Sequence, residues 1–222
     1  MLPDFLTHYY ERKLGPFRSL SDLPPEEAET VLESIRRRAD VFASRRSPEY
    51  VQVRFELEER MRSLFIAKGG CPQRERPLYF ILGTCDWCRT WYLEPAEARL
   101  PLCVLDPAQV SFTYGDSFPA MRFQDGKPYR GQVYTLSELP GLVVQYDLPQ
   151  VWNPEGKLAP ERYIEAQVWD ANAHTLICPV GCLTTCPTSR RIHADRKRAH
   201  APQRIRLCEL ATTTAHRSGL TA

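Results

Sequence analysis

The 222 residues are 43% hydrophobic and 25% charged, an ordinary balance for a water-soluble globular protein, and length enough for one domain with its own core. The net charge of +2 hides opposite signs: residues 171–222 carry eight Lys/Arg against two acids, leaving 21 basic and 25 acidic side chains in residues 1–170. That slightly acidic body gives no electrostatic reason to expect nucleic acid, no run reaches the roughly 18 apolar residues of a membrane span, and Met1-Leu2-Pro3-Asp4 lacks the basic and apolar regions of a secretory signal. The expected location is the cytoplasm, with cysteines as reduced thiols.

In chain order, Phe5-Leu6-Thr7-His8-Tyr9-Tyr10 is rich in strand formers and leads to a loop through Gly15-Pro16. Pro24-Pro25-Glu26-Glu27 starts a helix, rigid prolines first and acids in its positive first turn. Ala28, Val31, Leu32, Ile35, Ala39 and Phe42 repeat at helical spacing, which predicts a helix to about Ala43. Arg36-Arg37-Arg38 near its negative end reads as a solvated cluster. A second helix begins after Pro48. Tyr50, Val53, Leu57, Met61, Leu64 and Phe65 form its apolar stripe, Glu56, Glu58, Glu59 and Arg60 face out, and Gly69-Gly70 ends it.

The period then changes. Leu78 to Gly83 reads as a buried strand, with further strands at Leu100 to Leu105, Val110 to Tyr114 and Gln132 to Leu136. A short helix near Ser137 to Gln145 follows, and Arg162 to Trp169 is the clearest late strand. Two helices followed by four or five strands predict an α+β domain over residues 1–170 with a mainly antiparallel or mixed sheet.

Composition breaks near Asp170. All 23 aromatic residues precede it, while four of the five His and four of the eight Cys follow. Residues 171–222 have too little apolar surface to offset chain entropy and are expected to be disordered, with the composition of a frameshifted or read-through gene end. Cys178, Cys182 and Cys186, four apart and preceded by His174, would align soft ligands for zinc or an iron–sulfur cluster on a helix. Pro179, Gly181 and Pro187 interrupt that helix, and His193, His200 and Cys208 supply no recognised metal-binding rhythm. Arg190, Arg191, Arg196, Lys197, Arg198, Arg204 and Arg206 form a basic arm suited to phosphates, without interleaved aromatics for base stacking.

Within the body, Cys85-Asp86-Trp87-Cys88 follows a strand and precedes a possible helical turn, the setting in which a first thiol loses its proton readily. No βαβ unit precedes it, and Cys71 with Cys103 makes a poor second pair for zinc; two thiols around a packing Trp is the plainer reading. No glycine-rich phosphate loop or nucleophile elbow is present, and His8 is the one histidine before residue 170. Ser111-Phe112-Thr113-Tyr114-Gly115-Asp116-Ser117 places hydroxyls and a carboxylate at a strand end, where Asp116 and Ser117 can also simply close the turn. Along the late strand Tyr163, Glu165 and Gln167 share one face, and Ile164, Ala166 and Val168 share the other. The apolar set should face the core, leaving Glu165 to solvent or to a cleft.

Thr7-His8-Tyr9-Tyr10, the Ser111–Ser117 segment and Tyr163-Ile164-Glu165-Ala166-Gln167-Val168 come in the order His, Ser/Thr/Tyr, Glu. In this they resemble the motifs of ADP-ribosyltransferase-like domains, and residues 1–170 as a whole resemble a group of small bacterial proteins whose family name assigns no activity. The transferase resemblance implies NAD as cofactor, with His8 and Ser111 on the cofactor side, Tyr114 stacking on nicotinamide, and Glu165 as the catalytic carboxylate opposite a developing oxocarbenium charge. Tyr163 replaces the second Glu or Gln associated with arginine-directed transfer. This reading expects His8 and Glu165 in one pocket, each within about 10 Å of Tyr114, and no metal. A non-enzymatic binding or interaction domain with an aromatic cleft is the alternative, marked by an exposed apolar patch. A third is a zinc-assisted nucleic-acid binder, which needs about four thiol or imidazole ligands together.

Overall fold

Alternating apolar residues fold the body around one antiparallel sheet. In the computed structural model, which describes residues 2–38 and 41–176, its strands are β1 (Phe5–Glu11), β2 (Leu78–Leu82), β3 (Pro95–Pro101), β4 (Val110–Tyr114), β5 (Tyr134–Thr135) and β6 (Ile164–Val168). Their spatial order is β3-β1-β2-β6-β4-β5, and every strand pairing is antiparallel. The helices are α1 (Pro25–Arg38), α2 (Tyr50–Ala67), α3 (Asp86–Arg89), α4 (Ser117–Arg122), α5 (Leu139–Tyr146) and α6 (Pro149–Trp152). The α+β class and the two long helices near the N-terminus are as the sequence leads one to expect. Among the described residues no helix is long and apolar enough to cross a membrane.

Two expected strands are shorter or shifted. β3 pairs with β1 from Pro95 to Pro101, and the chain then turns through a 3-10 helix at Leu102–Val104. Its prolines are tolerated because β3 is an edge strand, where a missing N–H costs no ladder bond. At the opposite edge only Tyr134 and Thr135 pair, with Phe112 and Ser111.

Period-two alternation divides the sheet chemically. Leu6, Leu78, Phe80, Phe112, Ile164 and Ala166 belong to the main core, with Leu139 and Leu142 of α5 packed among them. The other face carries Tyr79, Ile81, Ser111, Thr113, Glu165 and Gln167; the register sets Ile81 and Thr113 either side of Glu165, and Tyr79 and Ser111 either side of Gln167. Leu57, Met61 and Phe65 of α2 cover part of this face against Trp169 and Met121. Ala28 and Leu32 of α1 in turn pack on Val51 of α2.

Because α2 lies on a polar face, it contributes a carboxylate as well as hydrocarbon. Glu58, expected to face out, is completely buried. Its Oε1 accepts from the Ser21 hydroxyl at 2.7 Å, the Tyr79 hydroxyl at 2.9 Å and Arg54 Nε at 3.0 Å, and Oε2 accepts from Arg76 at 3.3 Å.

Packing runs on past Asp170 as far as the described residues go: Ala173 is buried and Leu176 touches the main core, while His174 is exposed on the turn between them. The readings made for Cys178, Cys182, Cys186 and the basic arm from Arg190 to Arg206 lie outside the described residues.

Removing one side of a buried ion pair strands the other. Glu58→Ala should therefore destabilise the protein by about 3–5 kcal/mol, against about 1 kcal/mol for Tyr79→Phe, both read from urea unfolding midpoints.

Candidate functional site

β1 pairs with β3 along its whole length but with β2 only through Leu6 and Thr7. Beyond Thr7 the two strands part, and the His8 ring bridges them. Its Nδ1–H donates to the Tyr79 carbonyl at 2.8 Å, and Nε2 accepts from the Phe17 amide at 3.1 Å. A carbonyl can only accept and an amide N–H only donate, so these bonds fix one neutral tautomer. Burial holds the His8 pKa below its ordinary value, outweighing the opposing effect of the Tyr79 carbonyl.

The parted strands, with α1 and α2 alongside, enclose a cleft of about 790 Å³. Its lining is markedly aromatic, including Tyr9, Phe17, Tyr50, Trp91, Tyr92 and Phe118. Glu165, Asp116, Ser117 and Tyr163 form its polar end. Gly115 makes that end possible: at φ +98° it occupies the left-handed region and lets β4 turn directly into α4. Asp116 then caps α4 by accepting from the Phe118 amide at 2.8 Å, and its second oxygen accepts from the Tyr163 hydroxyl at 2.9 Å. The next amide, of Ser117, donates to Glu165 Oε2 at 3.0 Å.

Behind Glu165 the polar face is knitted together. Gln167 Nε2 donates to Thr113 Oγ1 at 3.1 Å and lies 3.4 Å from Glu165 Oε2. The Ser111 hydroxyl donates to Gln167 Oε1 at 3.0 Å and accepts from Trp169 Nε1 at 2.9 Å. Burial first, and then the Asp116 charge, push the Glu165 pKa up to about 8, against the pull of Ser117 and Arg54. Glu165 is thus mainly a neutral acid at pH 7, able to donate as well as accept. Burial and the same Asp116 charge drive the Tyr163 phenol well above its ordinary range.

Two further polar groups lie in the cleft wall. Thr7, fully buried, and Trp91 both line the cleft, and Thr7 Oγ1 and Trp91 Nε1 are buried atoms without a hydrogen-bond partner among the described residues. Such an orphan costs about 1–3 kcal/mol unless something supplies the missing bond.

The four expected site residues do not converge. Glu165 and His8 line the same cleft, but both His8 ring nitrogens are taken by backbone. Tyr114 lies on the opposite face of the sheet, 4.7 Å from Tyr129 and 5.4 Å from Tyr146 between ring centroids, and its hydroxyl donates to the Tyr146 carbonyl at 2.5 Å. Ser111 shares the Glu165 face but is committed to Gln167 and Trp169. Asp116, Tyr163, Thr7 and Trp91 complete the site instead; of these only the Asp116 cap had a local signal, an Asp followed by Ser-Phe-Pro at a strand end. Among the described residues no group of three or more His, Cys, Asp or Glu side chains is placed to hold a metal ion. Compared with known proteins, the chain matches no protein-family model, no curated protein and no solved structure.

The raised Glu165 pKa has a definite sign for stability. Folding favours the protonated form, so this group leaves stability untouched below its ordinary pKa of 4.5 and erodes it as pH rises to about 8. The slope is about 1.4 kcal/mol per pH unit for one proton. The surrounding Asp116, Arg54, Tyr79, Tyr163 and Cys88 are retained in Glu165→Gln. That variant should gain on the native chain, on the order of 4 kcal/mol, between pH 5 and pH 9 in urea unfolding. Parallel stability curves for the two proteins would show that Glu165 is ionised throughout.

Proposed function

We propose that the protein binds a small, flat-ringed molecule in the cleft, its polar edge held by Glu165, Asp116, Thr7 and Trp91. The observation that carries this reading is the pair of buried, unpartnered groups, Thr7 Oγ1 and Trp91 Nε1, in an aromatic-lined cleft. Trp91 Nε1 can only donate, Asp116 oxygens accept, and the Thr7 hydroxyl and protonated Glu165 do both. The complementary ligand edge therefore combines carbonyl-type acceptors with an N–H, as in a carboxamide, a lactam or a nucleobase. Arg18 and Arg46 also line the cleft and suit a ligand with a phosphate.

Nicotinamide carries such an edge, so NAD belongs among the ligands to be tested. ADP-ribosyl transfer asks more of the site. An ionised carboxylate opposite developing positive charge is available from Glu165 only as pH rises through about 8, and neither His8 nor Tyr114 is free to hold the cofactor. The arrangement favours binding over transfer.

Calorimetric titration of the full chain with nicotinamide, adenosine and NAD tests the reading. At least one should bind saturably at pH 6.5 and weaken above pH 8. Glu165→Gln should retain affinity and lose that pH dependence, whereas Glu165→Ala should lose about tenfold, equivalent to about 1.4 kcal/mol. Thr7→Val offers a signature that simple packing does not: removing an orphan hydroxyl should raise the melting temperature of the free protein while lowering affinity. Absence of saturable binding by all three ligands would overturn the proposal.

A further inference from the structure

Cys88 lines the cleft and Cys85 lies just before it in sequence, and neither takes part in the proposed ligand contacts. After β2 the chain turns at Gly83, and Cys85 immediately precedes α3, the single helical turn that contains Cys88. The Cys88 amide donates to the Cys85 carbonyl at 3.1 Å, closing that turn. Helical geometry then sets the two Cα atoms about 5 Å apart, inside the roughly 4.4–6.8 Å that a disulfide spans. Both thiols are free and buried, packed with Tyr9, Ile81 and Tyr163 and bordered by Trp87 and Trp91. The Tyr9 hydroxyl fixes the turn by accepting from the Cys85 amide at 3.0 Å, and the Cys85 thiol donates weakly to the Arg162 carbonyl at 3.8 Å.

We propose that Cys85 and Cys88 are a redox-active dithiol that exchanges with small aliphatic disulfides, Cys85 attacking and Cys88 resolving. The proposal rests on the placement of the two thiols and is independent of what the cleft binds. Their environments divide the roles. The neighbouring Cys88 thiol, together with the Cys88 and Trp87 amides, lowers the Cys85 pKa against the effect of burial. Burial instead raises Cys88 well above the ordinary thiol, with Cys85, Asp116 and Glu165 adding to the rise. Cys85 lies one residue from the exposed Thr84 and Asp86 on either side.

The exchange balances. Cys85 as thiolate attacks one sulfur of R–S–S–R, forming a mixed disulfide and expelling R–S⁻, which takes up the proton that Cys85 gave up. Cys88 then loses its proton and attacks the Cys85 sulfur, and a second R–S⁻ leaves and is protonated. One dithiol is oxidised by two electrons and one small disulfide is reduced to two thiols.

The experiment uses the full chain in buffers of reduced and oxidised glutathione, acid quenching, alkylation, trypsin and mass spectrometry. Cys85 and Cys88 fall in one tryptic peptide ending at Arg89, with no other cysteine in it. The expected result is conversion of that peptide to a form lacking two hydrogens, reversed by excess reduced glutathione. Cys88→Ser should trap glutathione on Cys85 at least about tenfold faster than Cys85→Ser traps it on Cys88, following the thiolate fraction. A pair that stays reduced in the folded chain while the excised peptide oxidises in the same buffer would overturn the proposal. Faster trapping on Cys88 would overturn the assignment of roles.

Discussion

The Glu58 carboxylate is the constraint on which the cleft depends. It draws hydrogen bonds from the segment before α1, from α2 itself, from the approach to β2 and from β2. A fully buried carboxylate is tolerable only when such partners replace water, so these segments must meet at one point for the protein to fold. That meeting fixes how α2 crosses the sheet. Arg54 is held in the same knot, hydrogen-bonded also to Ser19, Ser21 and Tyr50, and its guanidinium sits 4.6 Å from the Tyr79 ring centroid. Ser19, Tyr50, Arg54 and Tyr79 are all cleft residues. One buried ionic cluster therefore both docks the helix and sets the position of a wall.

The polar face of the sheet continues the same logic. From Trp169 through Ser111 and Gln167 to Thr113 every side-chain polar group has a partner, and the chain of bonds ends at Glu165 and the Ser117 amide. A satisfied network of this kind rigidifies its surroundings. Of the buried side-chain atoms without a partner among the described residues, those of Thr7 and Trp91 lie on the cleft, and those of Arg130, Gln150 and Glu161 lie away from it. Stability requires the first set to be complete, and a binding site requires something left to bind.

Local period made the elements legible, and the same period could have corrected part of the site. Alternation along Ile164–Val168 puts Glu165 and Gln167 together on one face, as found. On β4, Ser111 and Tyr114 are three residues apart, an odd spacing that sends their side chains to opposite faces of any strand. They could never have served one cleft together. Glu58 departs from its pattern for a different reason: helical position alone puts it beside the exposed stripe, and only the polar sheet beneath makes burial favourable. The parting of β1 from β2 had no local signal at all. It depends on β1 following β3 at the edge of the sheet, a pairing about 90 residues distant in sequence. His8, Thr7 and Trp91 acquire their roles only through that parting.

Burial has one common electrical effect on the cleft. It keeps His8 unprotonated, Glu165 protonated, Cys88 a thiol, and Tyr79 and Tyr163 neutral phenols. Arg54, charged despite burial because Tyr50, Tyr79 and Glu58 favour its charged form, is matched by the Glu58 carboxylate. The inner cleft thus offers hydrogen bonds in abundance and little net charge, with Asp116 as its main anionic acceptor. An ionic ligand group placed there would lose its hydration without a full counter-charge to replace it. A neutral ring whose edge both donates and accepts loses less and satisfies Thr7, Trp91 and Glu165 together. The conditions that keep these groups neutral also weigh against chemistry that needs Glu165 as an anion, because each step toward ionising it must overcome the burial and the Asp116 charge that hold the proton in place.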